Sequence, residues 1–194
     1  MLVPVPEAEP VVAGHRATLD AAAGWGIPAH VTVLFPFAPP EQLEAELLDA
    51  LAAVVAGLPA FACVFRRTGW FRDDVLWLDP EPADAFRALT SAVVRAFPQW
   101  LPYRGEFSDV VPHLTVGERR LADLDTLRAA EADVAPALPV ATTVREALLV
   151  AGSDAPSSWR TVARLPLGAE PDMGAATTLR TSSRSGSTRG PSPR

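Results

Sequence analysis

Two short segments carry residue types able to move protons, His30-Val31-Thr32 and His113-Leu114-Thr115. Each is followed by valine, Val33 and Val116. The chain has three histidines, so two of the three stand in one frame. In an extended strand, side chains at i and i+2 share a face. His30, Thr32 and Leu34 then point one way, and Val31, Val33 and Phe35 the other. His113 and Thr115 likewise share a face, with Leu114 and Val116 behind them. Two such strands placed side by side about a local two-fold axis would line one cleft with two imidazoles and two hydroxyls.

That set suits a phosphodiester. One neutral imidazole takes a proton from the attacking water or hydroxyl, and one protonated imidazole gives a proton to the departing oxygen. An ordinary pKa near 6.5 fits histidine to both tasks. The threonine hydroxyls donate to the non-bridging oxygens, where charge accumulates. The scheme calls for no metal and no cofactor. The third histidine, His15, falls on a predicted helix as a boundary residue, with no carboxylate at ligand spacing. No glycine-rich phosphate loop, Gly-x-Ser-x-Gly segment or zinc spacing is present, so nucleoside-triphosphate hydrolysis and serine esterase chemistry are not supported.

The elements that must position these residues follow from period and punctuation. Leu2-Val3-Pro4-Val5 reads as a short strand, and a helix opens at Glu9-Pro10 and runs to about Gly24. Residues 30–35 read as a strand. A helix over 41–57 places Leu43, Leu47, Leu51, Val54 and Leu58 at helical spacing. Strands are expected over 61–67 and 75–78, joined by the Arg72-Asp73-Asp74 turn. Pro82 opens a helix with Phe86, Leu89, Val93 and Phe97 inward. A Pro- and Gly-rich loop spans 98–112, followed by strand 113–116 and helix 121–134 with Leu124 and Leu127 inward. Strands 140–150 and 159–165 close the fold. Read this way, each half runs His-x-Thr strand, helix, strand pair.

Composition bounds the rest. A hydrophobic content of 48% supports a sizeable core in one domain. All 17 basic residues are arginine, and the net charge is −6. Residues 173–194 hold four arginines and no acid, leaving about −10 on the remainder. So acidic a body lacks a broad surface for long nucleic acid, whose binding depends on phosphate neutralisation. Cys63 stands alone, excluding a disulfide framework and a cysteine zinc site. No apolar run is long enough for a membrane span, and the N-terminus lacks signal-peptide character. A cytoplasmic monomer is expected. Residues 171–194, rich in Ser, Thr, Gly, Pro and Arg, are expected to be disordered.

With these residues in view, the chain resembles the 2H phosphoesterase superfamily, in its bacterial 2′-5′ RNA ligase-like (LigT-like) branch. The resemblance rests on His30-Val31-Thr32-Val33 and His113-Leu114-Thr115-Val116. It extends to the settings Pro28 to Phe37 and Val111 to Val116, and to Trp70-Phe71 with Val75 to Leu78. It covers roughly residues 2–168 and implies an α+β, bilobal fold within residues 1–170. Two antiparallel sheets would stand in pseudo-two-fold arrangement around a central cleft, with helices outside. It also implies metal-independent hydrolysis of 2′,3′-cyclic phosphates, with reverse 2′-5′ joining of RNA ends in some members. Carried over by position, His30 and His113 are catalytic, and Thr32 and Thr115 bind phosphate.

Around that core, Tyr103, Arg104 and Trp70 are candidates for base or substrate contact, and Phe71 and Trp159 could also stack. Tyr103 leads because it lies shortly before His113. Arg16 is a second candidate for a phosphate, with an ordinary surface position as the commoner alternative. The expected partner is a small nucleotide or an RNA terminus. A non-catalytic nucleotide- or RNA-end-binding module on the same fold is the competing expectation.

Overall fold

The computed structural model describes residues 1–106 and 110–169. Its strands are β1 Leu2–Pro4, β2 His30–Thr32, β3 Phe61–Phe71, β4 Val75–Glu81, β5 Leu114–Glu118, β6 Val140–Val144, β7 Glu146–Ala151 and β8 Arg160–Pro166. Its α-helices are α1 Glu9–Leu19, α2 Ala21–Gly24, α3 Ala45–Ala56, α4 Ala83–Ala96 and α5 Leu124–Val134. The expected tail, 171–194, lies outside the described residues.

The strands form two antiparallel sheets, ordered β2-β1-β7-β8 and β5-β4-β3-β6. β2 occupies one edge of the first sheet and β5 one edge of the second, and these edges lie against each other. This is the expected α+β, bilobal arrangement, with one difference. The two His-x-Thr segments do not pair as neighbours within one sheet; they meet across the junction of two.

The repeat also differs from the one read along the chain. The β3–β4 hairpin that follows the first motif pairs with β5, which carries the second. The β7–β8 hairpin that follows the second motif pairs with β1, beside the first. The spatial repeat is therefore strand, helix, His-x-Thr strand: β1-α1-β2 and β4-α4-β5. Linear order put the right elements in the wrong lobes because pairing depends on long-range burial, which adjacency does not report.

Alternation builds each sheet face. Leu2, Val3 and Pro4 register against Thr32, Val31 and His30. Val3 and Val31 are buried on the back, so His30 and Thr32 face the cleft. Across the junction Leu114 and Val116 are buried, and Leu76 and Leu78 lie beside them. One core runs through both lobes, joining Val3 and Val31 to Leu76, Leu78 and Leu114. The stripe of α4 is buried as expected, with Phe86, Leu89, Val93 and Phe97 inward.

Several boundaries move. The first helix stops at Leu19, because Asp20 turns extended and its carboxylate accepts the Ala22 N–H, capping the short α2. Alternation in the 30–35 segment ends at Thr32. The Val33 and Leu34 N–H groups both donate to the Met1 carbonyl, burying Leu34 and turning Phe35 outward. Helix α3 starts at Ala45, after a 3₁₀ turn at Pro40–Gln42. The hairpin strands run longer than expected, to Phe71 and Glu81. His113 precedes β5 instead of opening it. The apolar run 140–150 is two strands that part at Arg145 and enter different sheets.

Candidate active site

Both imidazoles are held in one way. His30 Nδ1 lies 2.7 Å from the Pro28 carbonyl oxygen, and His113 Nδ1 lies 2.8 Å from that of Val111. A carbonyl can only accept, so each Nδ1 carries the proton and donates. Each neutral imidazole then offers an unprotonated Nε2. The acceptor sits two residues before the histidine in both cases, matching the pseudo-two-fold relation of the lobes.

Thr32 stands on the cleft face across from Leu2, and Thr115 stands across from Trp77. Both threonines are half-buried, and neither hydroxyl has a hydrogen-bond partner among the described residues. Two free donors and two Nε2 atoms therefore sit along the junction. A protonated His113 lowers the proton affinity of His30, so the charge of one imidazole reaches the other.

Charge around the pair is unequal. Burial pushes the His30 pKa down to about 3, against the Pro28 carbonyl, and Arg16 and the N-terminal ammonium reinforce the fall. Burial also lowers His113, but the Val111 carbonyl and the Asp20 carboxylate oppose it. Lowered in this way, both imidazoles are neutral near neutral pH. His113 is the one with a carboxylate supporting its charged form.

Arg16 is neither an ordinary surface residue nor a phosphate arm. Its side chain is 2% exposed and pairs with Asp20, also 2% exposed, at 2.9 Å. It also donates to the Ile27 carbonyl at 3.3 Å and lies 3.9 Å from Glu9. The Glu9 carboxylate accepts the Ala29 N–H at 2.6 Å. Charged side chains of α1 and its C-cap thus hold the segment leading into His30. The Arg16–Asp20 spacing of four residues was a visible signal for this pair.

An aromatic wall flanks His113. Phe71 meets its ring edge-on, centroids 4.8 Å apart, and Trp77 does so at 6.1 Å. Phe71 and Trp77 stack on each other at 5.0 Å. Beside this wall a recess of about 670 Å³ is lined by Trp70, Phe71, Arg72, Asp74, Tyr103 and His113. Trp77 was not among the candidates from sequence. Its alternation with Val75 places both on the cleft face, which was the available signal.

The remaining candidates separate. Tyr103 lines the recess, and its N–H donates to the Phe35 carbonyl at 2.7 Å, joining the loops of the two lobes. Its backbone and that of Arg104 are left-handed, with φ of 49° and 57°. Arg104 is exposed and does not line the recess. Trp70 lines the recess, but its indole N–H donates to Glu131 and Arg128 covers its ring at 4.1 Å. Trp159 stacks on Trp25 in the other lobe, near Phe35. His15 faces Asp133 at 3.8 Å. Among the described residues no cluster of three or more His, Cys, Asp or Glu is placed to hold a metal, and no helix is long and apolar enough to cross a membrane.

The sequence model of the 2′-5′ RNA ligase superfamily matches residues 4–155. The chain belongs to that superfamily. The family resemblance carried by the two motifs is therefore established. Among solved structures, this superfamily chain is similar to TT0787 of Thermus thermophilus, at a TM-score of 0.60 and 20% identity, covering 88% of this chain and 97% of that one. It is also similar to E. coli LigT in apo form, at 0.54 and 21% identity, covering 86% and 95%. E. coli LigT complexed with 3′-AMP gives 0.53 at 21% identity over the same shares. At such identities the likeness shows a shared fold. No curated protein matches the sequence.

Proposed function

We propose that the chain is a phosphodiesterase that opens a 2′,3′-cyclic phosphate, on an RNA terminus or a small nucleotide, by two-histidine acid–base catalysis. The supporting observation is the matched anchoring of His30 and His113. Both present Nε2 at one junction, beside two threonine hydroxyls without partners among the described residues. The chemistry uses these side chains and no metal or cofactor.

A bound phosphodiester anion favours protonation of a nearby imidazole. Asp20 supports that charge on His113, and Arg16 opposes it on His30. His113 is then the general acid and His30 the general base. His30 Nε2 takes the proton of a water that attacks phosphorus. The P–O bond to one ribose oxygen breaks, and that oxygen leaves with the proton from His113. Thr32 and Thr115 donate to the non-bridging oxygens, where the added charge gathers. The same ring opening, with the hydroxyl of a second ribose attacking in place of water, would join RNA ends.

The aromatic recess beside His113 suits the base of a nucleotide, because any base presents a π-face for stacking. A nucleotide, 3′-AMP, in the complex of E. coli LigT supports a ligand of that size. The acidic body argues against a long nucleic-acid track and for a small nucleotide or a strand end.

The test is hydrolysis of a 2′,3′-cyclic nucleotide in excess chelator by wild type, His30→Ala and His113→Ala. Each variant should lose about 10²–10⁴-fold in rate. Full activity in either one removes the two-histidine chemistry. Tight binding without turnover across a panel of cyclic esters would instead identify a nucleotide-binding module.

A further inference from the structure

The lobe symmetry reaches one layer behind the histidines. Arg16 lies on α1, the helix that precedes β2, and its guanidinium donates to the carbonyl of Ile27 at 3.3 Å. Arg87 lies on α4, the helix that precedes β5, and its guanidinium donates to the carbonyl of Val110 at 3.1 Å. Ile27 is three residues before His30, and Val110 is three residues before His113. In each lobe the very next carbonyl, Pro28 or Val111, accepts the imidazole Nδ1 proton. Each arginine is accompanied by an acid of its own helix or cap, Asp20 at 2.9 Å and Asp84 at 4.0 Å.

We propose that Arg16 and Arg87 are a matched pair of positioning residues, each fixing the orientation and tautomer of one histidine through the carbonyl pair ahead of it. Consecutive peptide planes share a Cα, so gripping the carbonyl at −3 restricts the plane that carries the carbonyl at −2. That second carbonyl decides which ring nitrogen keeps the proton. Lysine could not serve equally, because a planar fork restricts direction and a point charge does not. On the His30 side Glu9 adds a second grip, on the Ala29 N–H. The two sides also differ in access. Arg16 is 2% exposed and Arg87 is 38% exposed, so the His113 side is the one that a substitution can loosen without emptying the core.

This inference rests on the two-histidine reading for its consequence in rate, but its structural content is read without substrate. Long-range ¹H–¹⁵N NMR of the imidazoles reports the tautomer of each neutral histidine. In wild type both should be protonated at Nδ1. Arg87→Ala should move His113 towards the Nε2–H tautomer and leave His30 unchanged, and Arg16→Lys should do the reverse. With a cyclic nucleotide, Arg87→Ala should lower kcat about tenfold with little change in KM, as small misplacement of a catalytic group does. Added guanidinium ion should restore part of that loss. Arg87→Lys, which keeps the charge, should show the same tautomer shift.

A His113 tautomer in Arg87→Ala and Arg87→Lys identical to wild type overturns the inference, whatever the rate does. If no cyclic ester is turned over, the tautomer result still stands or falls alone. If tautomers stay fixed while His113→Ala is inactive, the two-histidine chemistry survives and only the role of the arginines is lost.

Discussion

Gly69 stands directly across the ladder from Trp77, and a methyl group at position 69 would lie 2.6 Å from the indole. The absent side chain lets the indole lie flat over β3, stack on Phe71 and reach the ring of His113. Gly69→Ala should therefore push the indole off its seat. Overpacking of this kind costs about 1–3 kcal/mol. A lower urea midpoint and a changed tryptophan near-ultraviolet signal would show it; an unchanged midpoint would mean that the indole has room to move.

The hydroxyls of Thr32 and Thr115 have no partner among the described residues, so their removal should not disturb the fold. Thr32→Val and Thr115→Val keep shape and β preference. Each should keep the thermal midpoint of wild type and lose about 10²-fold in kcat, the scale for a single donor to a developing oxyanion. A fall in only one variant would show that the two sides bind the phosphate unequally.

Burial holds His30 at about 3 in the folded chain, against about 6.5 when unfolded. The unfolded chain binds more protons in that interval, so folding stability is full above about pH 6.5 and is lost as the pH falls towards 3. His113 is lowered in the same direction and adds to the slope. Denaturation midpoints across this range should fall with acid in wild type. His30→Gln should flatten the curve; an equal slope in the variant would assign the acid loss elsewhere.

A phosphate ester should bring its own proton. Both imidazoles are neutral near neutral pH, and a bound anion raises their proton affinity. Binding of 3′-AMP near pH 7 should take up close to one proton. Calorimetry in two buffers of different ionisation enthalpy measures it. No difference between the buffers would mean that the resting site already holds its proton.

Phe71 forms both the wall against His113 and the lining of the recess. Phe71→Ala should raise KM for a cyclic nucleotide by the equivalent of about 1–3 kcal/mol, the scale of base–aromatic stacking. A cyclic phosphate that lacks a base should be affected much less. Equal losses for both substrates would place the base outside this recess.

Which residues could do chemistry, and how they are spaced, was legible in the sequence alone. A His-x-Thr triplet in strand period places imidazole and hydroxyl on one face, since successive side chains alternate. The amphipathic stripe of α4 and the hairpin at Arg72-Asp73-Asp74 were legible for the same local reason. Partnership between elements came from the folded arrangement. It sent the hairpin after each motif to the opposite lobe, and it split the apolar run at Arg145 between two sheets. It ended alternation at Thr32 by directing the Val33 and Leu34 N–H groups to the Met1 carbonyl. It also buried Arg16 with Asp20, where charge alone suggests the surface. Local period reports which way a side chain points. Which distant surface meets it depends on burial and ion pairing between segments far apart in the chain, and only the folded arrangement brings those together.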